Sequence, residues 1–122
     1  MKFIVVFLCL LVTVFASNFS NTLSKEAQKS HKMILIEATS AYCGYCIKMK
    51  KEVLSDKEVK ELIEKKYIFK EIMVDSQKLP FGLEKEFGGM TPTFFIIDSN
   101  GKLLKKIPGS WNKSDFLDFI GK

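Results

Sequence analysis

The sequence predicts a single α/β domain in which a mixed β-sheet is flanked by helices, and three observations support this fold class. Strand-like and helix-like patterns follow one another in the order β-α-β-α-β-β-α. Asn100-Gly101 stands between two apolar runs and is typical of a tight hairpin, so the last two strands should be antiparallel, whereas strands joined through helices pair in parallel. A chain of 122 residues, 47% of them hydrophobic, can bury one core and leaves no room for a second domain.

An apolar run at the N-terminus, residues 3–16, precedes this domain. It follows the single charge of Lys2 and ends at the small residue Ala16, which is the pattern of a secretory signal peptide. A membrane-spanning helix needs ~20 apolar residues, so the run is short for an uncleaved membrane anchor; that anchor and a buried first helix are the alternatives. Cys9 lies within the run and is interpreted as a small hydrophobe. The sequence therefore predicts a signal peptide at residues 1–16 and an exported protein, periplasmic if the source is a Gram-negative bacterium.

A polar leader separates the signal peptide from the domain. Residues 17–31 contain one apolar pair at helical spacing, Leu23 and Ala27, which predicts a weakly amphipathic helix. We place the domain itself at residues 32–122. Its first element is the apolar, β-favouring run that starts at Met33 and ends near Thr39, as expected for a central strand covered on both faces.

A helical pattern replaces the strand pattern from Cys43 onward. Apolar residues recur at spacings of three and four up to Leu54. Ser55 and Glu58 then form a capping-box pattern, which begins a second helix or continues the first after a kink. The run from Tyr67 to Val74 alternates in the manner of a strand.

The next predicted element is a short helix from Leu79 to Phe87. Pro80 lies near its start and Gly88-Gly89 follows its end, and these are the preferred residue types at the two positions. The segment connects the second strand to the hairpin.

The hairpin and a closing helix complete the domain. Thr93 to Asp98 is a strongly apolar strand, and Lys102 to Ile107 is predicted to return beside it. A final helix follows Asn112, and its apolar face must cover the sheet. That face contains Phe116, Leu117, Phe119 and Ile120.

The charge of the chain comes from lysine alone. The 19 basic residues include no arginine and are balanced by 14 acidic residues. Without the bidentate guanidinium fork that reads phosphate and guanine, nucleic-acid recognition is disfavoured. Lysines alternate with glutamates across residues 48–66, which is typical of a solvated helix face. We therefore predict no nucleic-acid partner.

The residues that carry chemistry are Cys43 and Cys46, the only cysteines left once the signal peptide is removed. They lie between a strand and the first turn of a helix, where free backbone N–H groups and the helix dipole stabilise a thiolate on Cys43. That thiolate can attack a disulfide, and Cys46 can resolve the mixed disulfide. A structural disulfide would close so short a loop that it adds little stability. A metal site would need further ligands, and His31 is the only histidine.

Several residues around this pair resemble a known family. An acidic residue lies in the first strand, six positions before Cys43, and an aromatic residue stands directly before Cys43. A Met-Thr-Pro-Thr loop leads into the predicted hairpin, and a glycine stands near the last strand. These are Glu37, Tyr42, Met90-Thr91-Pro92-Thr93 and Gly109. With the CxxC motif they make residues from about 32 to the end similar to the thioredoxin superfamily, which implies the thioredoxin fold.

The resemblance implies a role for each matched residue. Glu37 would be a buried acid beneath Cys46 that relays its proton, with a surface carboxylate at a strand end as the alternative. Pro92 would follow a cis peptide bond, so that the Thr91 backbone pairs with a substrate strand; an ordinary trans turn proline is the alternative. Tyr42, with Gly44 and Tyr45, would contact the substrate. The family also has a lysine that pairs with the buried acid. Lys70 and Glu71 lie near the matching position, but the alignment is off by one residue, and no residue is assigned to that role.

The dipeptide between the cysteines bears on the direction of electron flow. In the family Gly-Pro accompanies reductases, Pro-His strong oxidants, and Gly-Tyr the bacterial periplasmic disulfide isomerase, which also has threonine before its cis-proline. Gly44-Tyr45 and Thr91 therefore favour a centre kept reduced. We expect no dimerisation domain, which weakens the case for isomerase activity and favours a monomer.

The sequence thus predicts an exported thiol-disulfide oxidoreductase that reduces protein disulfides. Its redox-active Cys43–Cys46 disulfide takes the place of a cofactor, no metal is expected, and a membrane-bound donor should supply electrons. The alternatives are a disulfide isomerase on the same fold and a non-enzymatic chaperone for a metal or for cytochrome maturation.

Overall fold

The computed structural model of the chain describes residues 18–121, so the predicted signal peptide lies outside the described residues. These residues form a four-stranded mixed sheet flanked by helices, with the strand order β2-β1-β3-β4. The predicted fold class is therefore confirmed. Among residues 18–121 no helix has the length and apolar character needed to cross a membrane.

The elements follow one another in the predicted order, preceded by the helix predicted in the leader. Helix α1 covers residues 18–30. The later elements are β1 (Met33–Thr39), α2 (Gly44–Met49) with a π-helical turn (Lys50–Leu54), α3 (Lys57–Lys66), β2 (Tyr67–Met73), a 3₁₀ segment (Pro80–Lys85), β3 (Thr93–Ile97), β4 (Leu103–Pro108) and α4 (Lys113–Gly121).

Strand β1 forms the centre of the sheet. It pairs in parallel with β2 and antiparallel with β3, and β4 pairs antiparallel with β3. Six of its seven residues are buried, as expected for an apolar strand covered by helices on both faces. Because the chain leaves β1 at Thr39 and enters α2 at Gly44, the CxxC motif lies at the carboxyl end of the central strand.

The two faces of β1 belong to two separate clusters of buried side chains. Leu35 packs with Met49, Phe94 and Phe116, so this face is covered by the helix that carries the CxxC motif and by α4. The rings of Phe94 and Phe116 meet edge to face with centroids 4.9 Å apart.

The opposite face is covered by α1. Leu23 and Ala27 are buried there with Ile36 and Phe95, so the weakly amphipathic pattern marks a helix that packs on the sheet. Two apolar residues suffice because the rest of the helix faces water.

The capping prediction for α3 was wrong by one residue. The N-cap is Asp56, whose carboxylate accepts the N–H groups of Glu58 and Val59 at 3.0 and 3.2 Å. Ser55 instead ends the preceding π-helical turn, and its hydroxyl donates to the carbonyl of Lys51. The two acceptors are adjacent in the sequence, and the backbone geometry decides between them.

The helix predicted at Leu79–Phe87 is a 3₁₀ segment interrupted at Phe81 and Gly82. Both residues have left-handed backbone angles, with φ 58° and 68°. Tertiary contacts favour this shape: the Phe81 N–H donates to the Ser20 hydroxyl of α1 at 2.9 Å. The Phe81 ring lies so close to Gly101 that a Cβ there would approach it to 3.0 Å. A regular helix would lose both contacts.

The predicted hairpin is present, and its loop is longer than a two-residue turn. Asp98 N–H donates to the Lys102 carbonyl at 2.9 Å, and Gly101 N–H donates to the Asp98 carbonyl at 3.0 Å. Gly101 has φ 90°. This is a three-residue loop in which a turn is followed by a left-handed glycine.

Candidate active site

Cys43 and Cys46 form a disulfide at the carboxyl end of β1, with their Cα atoms 5.2 Å apart. Cys43 is the N-cap of α2, with extended backbone angles of φ −122° and ψ 105°. Cys46 lies one turn into the helix. The strand end and the helix start predicted from the sequence therefore bring the two sulfur atoms together.

The position of Cys43 at the helix start favours a negative charge on its sulfur. The Cys46 N–H donates to Cys43 Sγ at 3.1 Å, which satisfies one of the free donors at the start of α2. The first turn of α2 contains no acidic residue that would oppose a thiolate. In the reduced protein this bond and the aligned helix peptides stabilise the ionised form of Cys43.

Exposure barely distinguishes the two cysteines. Cys43 is 8% exposed and Cys46 is 6% exposed. The neighbouring aromatic residues are far more exposed: Tyr42 fully, and Tyr45 to 68%. The hydrogen bond from the Cys46 N–H to Cys43 Sγ, and not accessibility, distinguishes the roles of the two sulfur atoms.

The loop before β3 faces Cys43. The Thr91–Pro92 peptide bond is cis, and the Thr91 carbonyl oxygen lies 3.4 Å from Cys43 Sγ. The Gly109 N–H donates to the Pro92 carbonyl at 2.7 Å, and the Thr93 hydroxyl donates to the Met90 carbonyl at 2.6 Å. These two bonds hold the loop in place beside the disulfide.

Glu37 is a buried carboxyl group on the face of β1 that α2 covers. It is 2% exposed and lies two residues after Leu35, on the same side of the strand. Leu35 packs against Met49 of α2. Burial, together with the negative charge of Glu71, raises the pKa of Glu37 to about 8 against the opposing charge of Lys50. At neutral pH Glu37 therefore carries a proton in the disulfide form.

Asp75 is a residue of the site that the sequence analysis missed. Its carboxylate accepts the Ser40 hydroxyl at 2.9 and 3.0 Å and the Ala41 N–H at 3.0 Å. It thereby ties the segment before Cys43 to the loop after β2. The signal was available, because Asp75 directly follows a strand parallel to β1, and the carboxyl ends of parallel strands meet at one edge of a sheet.

We expect Asp75→Ala to free the segment that precedes Cys43. The Ala41 amide loses its acceptor, so its hydrogen exchange should accelerate roughly tenfold, the equivalent of one charge-assisted hydrogen bond. Ser40→Ala is the matched control, because it removes one donor to Asp75 and leaves the Ala41 bond in place. The exchange rate of the Ala41 amide is measured by NMR in both variants. Equal protection of this amide in Asp75→Ala and in the native chain would contradict the prediction.

The remaining predicted residues lie as follows. Gly44 is exposed, and a Cβ built on it would have no heavy atom within 4 Å, so no contact in this structure requires a glycine there. His31 follows α1 with φ 55° at the start of β1, the end of the strand opposite the cysteines. Among residues 18–121 no group of three histidine, cysteine or acidic side chains is arranged to hold a metal ion.

Comparison with known proteins supports the fold. A family model described as a thioredoxin-like domain matches residues 21–122, which include most of α1. No curated protein matches the sequence. Among solved structures the chain is similar to a thioredoxin from Thermus thermophilus, with 28% identity, a TM-score of 0.66, and coverage of 82% of this chain and 79% of that chain.

Two further structures share the fold at lower identity. One is a disulphide isomerase from Xylella fastidiosa Temecula1, with 19% identity, a TM-score of 0.65, and coverage of 82% of this chain and 84% of that chain. The other is the oxidised C-terminal domain of Neisseria meningitidis DsbD, with 14% identity, a TM-score of 0.63, and coverage of 82% of this chain and 88% of that chain. The predicted thioredoxin fold is confirmed.

Proposed function

Since this chain belongs to the thioredoxin-like domain family, we propose that it is an exported thiol-disulfide oxidoreductase that reduces disulfide bonds in other proteins. Membership and the CxxC motif support the general activity, thiol-disulfide exchange. The observation that carries the proposal is the Cys46 N–H bond to Cys43 Sγ at the start of α2, because it assigns the attacking thiolate to Cys43.

The reaction has two exchange steps. The Cys43 thiolate attacks one sulfur of the client disulfide; the new S–S bond forms as the client bond breaks, and the second client sulfur leaves as a thiolate. Cys46 then attacks Cys43 Sγ and loses its proton to Glu37 in those molecules whose Glu37 is ionised, a fraction that increases as the pH approaches about 8, and the first client sulfur leaves as a thiolate. Two electrons pass from the dithiol to the client, and the chain ends as the disulfide.

The client is an extended segment of another protein that docks against the cis-proline loop. Pro92 holds the Thr91 backbone beside Cys43, where its N–H and C=O groups can pair with a substrate strand. Tyr42 and Tyr45, which precede and follow Cys43 in the sequence, are exposed. Contacts of this kind recognise backbone and apolar surface and therefore accept many client sequences.

A second candidate function is disulfide isomerisation on the same site. The observation that favours it is the Gly44-Tyr45 dipeptide, the pair found in the periplasmic isomerase. Isomerisation would need the mixed disulfide to persist long enough for client bonds to exchange before Cys46 resolves it. Refolding of a client with scrambled disulfides, in the absence of added reductant, distinguishes the two functions.

An exported reductase needs a source of electrons outside the cytoplasm, where reducing thiols are scarce. We propose a membrane-bound redox donor that reduces the Cys43–Cys46 disulfide after each cycle, and a monomeric chain. The predicted signal peptide at residues 1–16 supports export.

The test of the proposed function is the reduction potential of the Cys43–Cys46 pair. The purified chain is equilibrated with glutathione buffers and its free thiols are quantified. A centre kept reduced should give a value near ~−270 mV, at the thioredoxin end of the range. A value near ~−120 mV would reverse the direction of electron flow and make the chain an oxidant.

A further inference from the structure

A groove with a volume of about 500 Å³ lies between β4 and α4. Its apolar lining comes from Ile107 and Pro108 of β4, from Phe119 of α4, and from Trp111 in the connection between the two elements. We call it the Trp111 groove, because Trp111 joins it to the cis-proline loop.

The Trp111 groove is continuous with the loop that faces the disulfide. The Thr91 carbonyl oxygen lies 3.4 Å from Cys43 Sγ. The Gly109 N–H donates to the Pro92 carbonyl at 2.7 Å, and a Cβ built on Gly109 would lie 3.9 Å from Trp111 Nε1. A client segment that pairs with Thr91 can therefore continue over Gly109 and reach Trp111.

Trp111 is held by hydrogen bonds at both its backbone and its ring. Its backbone N–H donates to Met49 Sδ at 3.5 Å, and its indole N–H donates to the Pro108 carbonyl at 2.8 Å. The residue is nevertheless 39% exposed. Among residues 18–121 the cation that lies over an aromatic ring is Lys105, with Nζ 6.0 Å from the Phe119 centroid, and no cation covers Trp111. A ring fixed in advance loses little conformational freedom when a ligand binds to it.

Two carboxylates line the groove together with Trp111. Asp115 and Asp118 lie three residues apart on α4, so their side chains are neighbours on the helix surface, and both are exposed. Neither takes part in an ion pair within residues 18–121. Lys106, the lysine of the groove lining, donates instead to the Glu86 carbonyl at 2.9 Å. In the described part of the chain the groove thus combines an open indole face with two carboxylates that no lysine neutralises.

We propose that the Trp111 groove binds a lysine or arginine side chain of the client protein. The cation lies over the indole face and close to Asp115 and Asp118, and both interactions favour a positive charge. Pro108 has no backbone N–H at this end of β4, so side-chain contacts and not strand addition provide the recognition. The inference rests on the proposed function, since it names the class of client that the same site prefers.

The geometry also sets the spacing between the client cysteine and the basic residue. Pro92 and Gly109 extend the β3–β4 pair by one residue on each strand, and neighbouring strands lie about 4.8 Å apart. The indole of Trp111 lies about one further spacing of this size beyond Gly109. Since an extended segment rises ~3.3 Å per residue, the basic residue should lie about four residues from the cysteine that Cys43 attacks.

The test compares three client peptides that differ only in the residues four positions before and after a single cysteine. These residues are lysine, glutamine or glutamate, and the cysteine forms a mixed disulfide with thionitrobenzoate, whose release by the reduced chain gives kcat/KM. The formal net charge of the chain is +5, which disfavours basic peptides at long range, so a preference for them must come from a local site. The lysine peptide should react roughly fivefold faster than the glutamate peptide at low salt.

Variants of the groove separate its charge from its aromatic face. Asp115→Asn combined with Asp118→Asn should bring the ratio of the two rates close to one, and both residues are exposed, so the fold should tolerate the changes. Trp111→Leu should lower the ratio, whereas Trp111→Phe keeps an aromatic face and should retain part of it. Glu61→Gln combined with Glu64→Gln is the matched control, because it changes the net charge equally at exposed positions of α3 and should keep the ratio. Equal rates for the two peptides with the native chain, or an equal loss of preference in the control, would overturn the proposal.

The fluorescence of Trp111 gives a second measurement that needs no reaction. Trp111 is the only tryptophan of the sequence, so its emission reports occupancy of the groove. Peptides without tryptophan, in which serine replaces the cysteine, are titrated into the disulfide form of the chain. The lysine peptide should change the emission at concentrations where the glutamate peptide does not, and the same change with both would overturn the proposal. Because this titration requires no turnover, the groove can fail as a binding site while the reductase function stands, and the reverse.

Discussion

Cys43→Ser should reduce client disulfide reduction by about a thousandfold or more, to the level of the uncatalysed reaction. The residue supplies the attacking thiolate, whose charge the Cys46 N–H and the start of α2 stabilise, and a serine hydroxyl at this position stays protonated. Insulin reduction followed by turbidity measures the loss. Far-UV circular dichroism checks that the variant is folded.

Cys46→Ser should fail at the next step and leave a diagnostic product. Cys43 can still attack the client, but no thiol remains to release it, so a mixed disulfide accumulates in a one-to-one complex. The complex should appear on a non-reducing gel with Cys46→Ser, be absent with Cys43→Ser, and disappear after treatment with dithiothreitol. A complex formed by Cys43→Ser instead would show that Cys46 is the attacking residue and would reverse the two roles.

Glu37→Gln should stabilise the folded disulfide form at pH 9 by on the order of 4 kcal/mol. In the unfolded chain Glu37 ionises freely, whereas in the folded chain its charge has lost most of its water and lies beside Glu71. Glutamine has nearly the same shape and no charge to bury. The free energy of unfolding from urea denaturation is the quantity to compare.

The gain from this substitution should depend on pH in a defined way. The pKa of Glu37 in the folded chain is about 8, above its ordinary value of 4.5, so its protonated form is the one that folding favours. The contribution of protonated Glu37 to the free energy of unfolding is therefore complete below about pH 4.5, and it is lost as the pH rises toward 8. The variant should match the native chain at pH 4 and exceed it at pH 9.

Glu64→Gln is the control for this comparison. It makes the same chemical change at an exposed position of α3, where ionisation has little effect on folding. A gain at pH 9 that is equal in the two variants would show that net charge is responsible and not the burial of Glu37. A carboxyl group that destabilises the fold at the pH of its function is expected where a proton must be transferred in the interior.

The sequence predicts the structure most closely where a local pattern decides the outcome. The apolar run at Met33–Thr39 forms the central strand, the hairpin after β3 forms at Asn100-Gly101, and α2 starts directly after Cys43. Each of these follows from side-chain periodicity or from turn chemistry, which act over a few neighbouring residues.

The structure differs from the prediction where an adjacent turn or a contact distant in the sequence decides. Ser55 and Asp56 are both good N-caps, and the end of the π-helical turn leaves the position to Asp56. Leu79–Phe87 reads as a helix, yet Ser20 and Gly101 hold Phe81 in a left-handed conformation. In the sequence Asp75 resembles an ordinary loop residue, whereas in the structure its carboxylate holds the segment before Cys43.

The sequence by itself determined the identity of the redox pair, the order of the strands and helices, and the family to which the chain belongs, because each depends on residue types at short and recognisable spacings. Only the tertiary structure decided that Glu71 is the register partner of Glu37, that the charge of Lys50 at the end of α2 acts on Glu37, and that Asp75 anchors the CxxC segment. These relations depend on strand register and helix packing, which bring together residues far apart in the chain. A shift of register by one residue would have put Lys70 opposite Glu37 and changed the charge beside it.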